Sequence, residues 1–223
     1  MGETISNAKA GNLFWLGRYT ERVHVILHFL RKYRDRMIDE DADAYHLFCE
    51  KLGIENCYTS CDDFLNRFLF DKTNKHSLIS ILTCASDNAI VLRQEIKSET
   101  LAYIQLAICH IEQCACINSD VDVLQPVTDS LMAFWGSIDE RIHKRDARNM
   151  IKAGKYLEKF DLHIRFDYPR ERINYLFDRL EKHIQKEKSI FDQNSLFELK
   201  LATEQPFYNK QEILGRVDRL FTV

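Results

Sequence analysis

Apolar residues recur every three to four positions along most of this chain, the spacing that gathers them on one face of a helix. From Asn12 to about Met37 one stripe holds Leu13, Leu16, Val23, Leu27 and Leu30, and a second holds Trp15, Tyr19, Ile26, Phe29 and Tyr33. Two stripes leave little of the girth polar, so this first long helix is expected to lie inside the molecule. A short helix over Ala42 to Leu52 follows, with Gly53 placed to end it in the left-handed conformation. Ser60, Asp62 and Asp63 read as a cap and an acidic first turn for a helix carrying Phe64, Leu65, Phe68 and Leu69.

Residues 76–96 repeat the period through Leu78, Ile81, Leu82, Ala85, Ala89 and Leu92, and Ser98-Glu99 restarts it for Leu101, Ile104, Ile108 and Ile111. An antiparallel pair joined near Lys97 is expected. Asn118-Ser119-Asp120 reads as a turn, Pro126 suits the first turn of a helix running to Trp135, and Gly136-Ser137 predicts a break or kink. A charge-rich helix over 138–166 should stop at Asp167-Tyr168-Pro169, because the residue before a proline avoids the α region. Further helices are expected over roughly 170–187 and from Gln211 to Phe221. No segment alternates with period two. The expected architecture is all-α, a multi-helix bundle or array of about seven to nine helices, with the helices over 12–37 and 138–166 paired about an internal pseudo-twofold.

Composition supports long helices: seven Gly and three Pro in 223 residues leave few breaks, and 45% apolar with 29% charged residues suits amphipathic segments. That length fits one domain spanning 1–223, with the helices of 170–221 packed on the rest. A net charge of −3 and a pI near 6.2 supply no global field for nucleic acid or an anionic membrane. No apolar run approaches the roughly 20 residues needed to span a bilayer, and the first residues lack a secretory apolar core, so a cytoplasmic protein without membrane association is expected. The seven cysteines, at 49, 57, 61, 84, 109, 114 and 116, form neither a disulfide framework nor paired metal spacings, so reduced thiols packed among helices are expected.

One string changes this plain picture. Gly-Arg-Tyr-Thr-Glu-Arg at 17–22 is echoed by Gly-Lys-Tyr-Leu-Glu-Lys at 154–159. On a helix, with Gly17 set at zero, Glu21 falls near 40°, Arg18 near 100° and Arg22 near 140°, one sector of the wheel. Gly17 continues a stripe to Glu21, His24 and His28, and Gly154 one to Glu158, Asp161 and Arg165. Glycine inside a helix costs about 1 kcal/mol against alanine, so two at equivalent places suggest a close crossing that a Cβ would obstruct. At such a crossing Glu21 can meet Lys155 or Lys159 while Glu158 meets Arg18 or Arg22. The six form either an ion-pair cluster or a ligand site, and the accessibility of the two glutamates separates those cases.

Other candidate chemistry is thinner. Glu21-x-x-His24 and Glu140-x-x-His143 have the spacing of helical di-metal sites, which would also require inward carboxylates such as Glu158 and Asp161, and neither metal nor cofactor is expected. Cys57 with Cys61, and Cys114 with Cys116, are expected to be buried thiols. Arg31-Lys32-Tyr33-Arg34-Asp35-Arg36 suits a solvated helix end, where cations complement the dipole.

Asn12 through Arg22, Asn-Leu-Phe-Trp-Leu-Gly-Arg-Tyr-Thr-Glu-Arg, resembles the opening signature of the bacterial alpha-E family. Ala153 to Lys159 resembles its second signature, and Asn88 to Arg93 with Ile96 to Glu99 its central helix and restart. The resemblance covers about residues 10–165. Two departures stand out: Lys155 and Lys159 replace the arginines of the second signature, and Leu101 stands where an aromatic residue is usual. The resemblance implies an all-helical protein of undetermined activity, encoded beside ATP-grasp ligase-like and transglutaminase-like proteins. A binding or scaffold role beside a peptide-modifying enzyme is the implied function. The alternative is an enzyme, either metal-dependent through Glu21, His24, Glu140 and His143 or acting on a carboxylate or phosphate held by the basic residues.

Overall fold

Helix α1, Asn7–Asp39, runs through the middle of the molecule for 33 residues. The structure, a computed structural model, describes residues 6–116, 121–205 and 209–221. After α1 come α2 (Ala44–Leu52), α3 (Cys61–Phe70), α4 (Leu78–Val91), α5 (Arg93–Ile96), α6 (Ser98–Cys116) and α7 (Gln125–Arg141). The chain closes with α8 (Arg145–Arg165), α9 (Arg170–Ile184), α10 (Gln193–Glu204) and α11 (Lys210–Val217). The described residues hold no strand beyond one isolated bridge between Phe191 and Phe221. They also hold no helix long and apolar enough to cross a membrane.

Local chemistry sets most boundaries. Gly53 ends α2 at φ 71°, and the Ser60 hydroxyl caps α3 by accepting the Asp63 N–H at 3.1 Å. Asp167 takes φ 54° just past α8, with the Tyr168 N–H donating to the His163 carbonyl, and Pro169 prevents continuation.

The all-α expectation is met, and the described residues hold eleven α-helices where seven to nine were expected. One addition is the short α5, set off at Leu92 and ended by Lys97 at φ 72°. Another is α10, whose apolar residues are too dispersed to signal a helix in advance. The break expected at Gly136-Ser137 is absent: α7 passes straight through, because Gly136 faces open space and nothing there obstructs a helix. The break falls instead at Ile142 to Lys144, where Ile142 and Lys144 turn extended, so the helix expected over 138–166 begins only at Arg145. The turn expected at Asn118 to Asp120 lies outside the described residues. Only Cys49 and Cys114 are buried; Cys57 and Cys116 are exposed, against the expectation of packed thiols.

Two apolar clusters share α1. Leu13, Phe14 and Leu16 pack with α7, α8 and the three closing helices. Val23, Ile26, Leu27, Phe29 and Leu30 pack with α2, α3, α4 and the second half of α6. Helix α8 lies along α1, and their contacts climb together, Phe14 against Gly154 and Phe29 against His163, so the two helices run the same way. The tail closes over the start of α1, stacking Phe221 on Phe14 at 4.0 Å. The echoed strings sit at the junction of the two clusters, where α1 passes from one to the other.

Candidate functional site

The two glycines mark the point of closest approach. A Cβ built on Gly17 would overlap the Ile151 carbonyl oxygen and lie 3.1 Å from the Lys155 nitrogen. One built on Gly154 would overlap the Phe14 carbonyl oxygen and lie 3.1 Å from the Arg18 nitrogen. Each contact maps onto the other by the same offset that relates the two strings, which makes the crossing a local pseudo-twofold. Each glycine also aims a Cα–H at the facing carbonyl, a weak attraction that only backbones this close can use.

One turn beyond the glycines the charges exchange partners. Glu158 accepts from Arg18 Nε and from a terminal nitrogen of Arg22, both at 2.7 Å. Glu21 meets Lys159 at 3.0 Å and Lys155 at 4.0 Å. Each glutamate therefore lies between two cations spaced i, i+4 on the other helix. Both are sealed: Glu21 is 0% and Glu158 1% exposed. The four cations keep between 13% and 23% of their side-chain surface in solvent, Arg18 the least and Arg22 the most.

The two carboxylates are not equally well held. Burial works to raise the Glu158 pKa, but the Arg18 and Arg22 guanidinium groups outweigh it and hold the group below the ordinary carboxylate range. Glu21 also ends below that range against its burial, through His24, whose Nδ1 stands 3.6 Å away, and then Lys155 and Lys159. Yet neither Glu21 oxygen receives an aligned hydrogen bond, because the Lys159 ammonium approaches out of line. Lys155 itself is pushed down to about 8, chiefly by burial, and rests 3.8 Å over the Trp135 ring. Asp161, one turn after Glu158, is pushed up by burial and then by Glu158, although Arg165 lies 2.8 Å from it.

A profile described as a predicted alpha-helical domain with a conserved ER motif matches residues 8–168. The chain belongs to the Alpha-E family. The match spans α1 through α8 and ends at Tyr168, leaving α9 to α11 outside it. Neither a curated protein nor a solved structure matches the chain. The matched stretch of this Alpha-E chain holds Glu-Arg at 21–22 and at 140–141, and the first pair is the one echoed by Glu158-Lys159. The geometry explains why the two residue types travel together: the glutamate of each pair meets the cation of the other, Glu21 with Lys159 and Arg22 with Glu158.

The metal alternative does not assemble. Glu140 lies in the last turn of α7 while His143 lies in the following connection, both exposed, so they do not share a helix face with each other. Among the described residues, no group of three or more His, Cys, Asp or Glu is placed to hold a metal ion. Sequence reasoning also missed a cavity of about 400 Å³ beside the crossing, lined in part by His28, Arg31, Lys32 and Arg172. Arg31 and Lys32 were expected to be only a solvated helix end. Since α1 runs on to Asp39, they lie well inside it and border a hollow walled by α7, α8 and α9. The signal was present in the basic stripe His24, His28, Arg31, Lys32 at helical spacing.

Proposed function

We propose that this chain is a helical binding module, a scaffold for an ATP-grasp or transglutaminase-like partner in a peptide-modifying system, and that its ER motifs build the module and catalyse nothing. The burial of Glu21 and Glu158 carries this reading. A carboxylate acting as base or nucleophile must reach a substrate atom, and here both are enclosed by cations of the facing helix. Charges so arranged hold two helices in one register, and removing one member leaves its partners buried and uncompensated.

The kind of partner rests on the family's company of peptide-ligating and peptide-modifying proteins, and a cytoplasmic setting belongs to the same proposal. Unpaired thiols at all seven cysteines suit a reducing compartment. Affinity purification of the tagged full chain from its native host is the test. Co-elution of an ATP-grasp or transglutaminase-like protein is the expected result, and repeated recovery of the chain alone would overturn the partner. Catalytic involvement of the motif would be revealed by a folded Glu21→Gln chain that keeps its partner but abolishes a measured turnover.

A further inference from the structure

The cavity beside the crossing lies between α1, the start of α7, α8 and the start of α9, and has a volume of about 400 Å³. Four permanent cations line it, Arg31 and Lys32 from α1, Lys159 from α8 and Arg172 from α9, and no carboxylate does. In a chain of net charge −3 that is a strong local departure. Three imidazoles, His24, His28 and His163, add donors to the same walls.

These cations are poorly answered from within the fold. Among the described residues, no ion pair is recorded for Arg31, Lys32 or Arg172. Arg31 reaches only the Thr128 hydroxyl, at 3.4 Å, and Lys32 the Tyr168 hydroxyl, at 3.3 Å. Lys159 is engaged by Glu21, which sits behind it. His24 keeps a buried Nδ1 without a hydrogen-bond partner. Burial, with the neighbouring cations behind it, disfavours a further positive charge on the imidazoles. Burial, and then Lys32, His24, Arg31 and Lys159, push His28 below its ordinary value, and burial foremost pushes His163 to about 4. Like charges held together in a partly desolvated hollow are unfavourable unless an anion joins them.

We propose that this cavity binds a phosphorylated small molecule, with Arg31, Lys32, Lys159 and Arg172 holding its phosphoryl oxygens. Two guanidinium forks and two ammonium groups offer more donors and more charge than one carboxylate can match, whereas a phosphate ester or anhydride presents several acceptor oxygens and about two charges or more. The hollow is a single concave site of the size small ligands occupy, and a net charge of −3 supplies no global field to draw in a nucleic-acid backbone. A second cavity of about 250 Å³ shares Lys32 and Tyr168 with it and is walled mainly by Phe29, Tyr33 and Phe166, with the Asp167 carboxylate at its edge tied to Lys51 and Lys210, giving the rest of the ligand a largely apolar berth. The proposal is independent of the partner named above.

Titration calorimetry of the full chain with pyrophosphate and with ATP, at physiological salt, tests it. Both are expected to bind with one site per chain. Arg31→Ala combined with Arg172→Ala should weaken both by about tenfold or more. Lys32→Ala, at an exposed position whose side chain meets only Tyr168 at the rim, should weaken both in the same direction and guards against misfolding of the double variant. Arg145→Ala, an exposed arginine outside the cavity, should leave both unchanged. The His28 imidazole, followed by NMR, should titrate at higher pH with pyrophosphate bound, because the anion offsets the surrounding cations. No binding of either anion, equal weakening by Arg145→Ala, or succinate binding as tightly as pyrophosphate would overturn the proposal. An RNA oligonucleotide that outcompetes ATP would overturn it too, since the site would then belong to a polymer.

Discussion

Glu158 and Glu21 occupy equivalent places on two helices related by one local pseudo-twofold, yet they are held differently. Glu158 takes two aligned hydrogen bonds from arginines at 2.7 Å, while Glu21 has lysines at 3.0 and 4.0 Å and no aligned bond. The backbone frame is the same, since both glycines meet the facing chain at matching distances. The difference lies in the cation. Guanidinium is planar, reaches a carboxylate with several donors and desolvates readily, whereas ammonium is a compact, strongly hydrated charge that leaves oxygens unanswered when buried. The glycines set the spacing of the helices, and the cations set how firmly each carboxylate is tied.

If spacing comes first, the largest effect follows from filling it. Gly154→Val is expected to cost about 4 kcal/mol or more, because a Cβ there must displace backbone, and urea unfolding will report it. Equal stability would mean that the crossing is not tight. Next comes the stronger carboxylate: Glu158→Gln should cost roughly 3–5 kcal/mol by leaving Arg18 and Arg22 buried without their anion. Glu21→Gln should cost less, about 1–2 kcal/mol, since its lysines have fewer bonds to lose and longer stems to withdraw along. A reversed order would refute the comparison.

Acid should act on the same contrast. Both glutamates have folded pKa values below their usual 4.5, so their stabilisation is complete above that value and is lost as pH falls through the folded pKa. Glu158→Gln should therefore flatten the fall in stability below about pH 5, seen in urea midpoints taken between pH 6 and pH 3. The smallest effect is a gain: converting Lys155 and Lys159 together to arginine should stabilise by about 0.5–1 kcal/mol, as the weaker half acquires forks like the stronger one.

Much of this was legible in the chain, for identifiable reasons. The α-helical class followed from apolar period and scarce Gly and Pro, and the place where α1 meets α8 followed from two interior glycines whose expense only close approach offsets. What was hidden involved neighbours distant in sequence. Gly136 looked like a break but lies on an open face, where a glycine is tolerated. Ile142 to Lys144 carry no breaker residue, so the true break had no local sign. Helix α10 lacks a clear apolar face because Phe197 and Leu201 lie on its exposed side while Leu196 and Leu199 are buried where α9 and α11 pack on it. Arg31 and Lys32 suit a solvated helix end, and only the positions of α8 and α9 reveal that they face a cavity.

Reciprocal coupling across the crossing is what paired double-mutant cycles measure directly. Arg22→Ala with Glu158→Ala, compared with Lys159→Ala and Glu21→Ala, should give coupling of about 2–3 kcal/mol for the first pair and about 1 kcal/mol for the second. Coupling near zero in both pairs, with each single variant as stable as the parent, would contradict it.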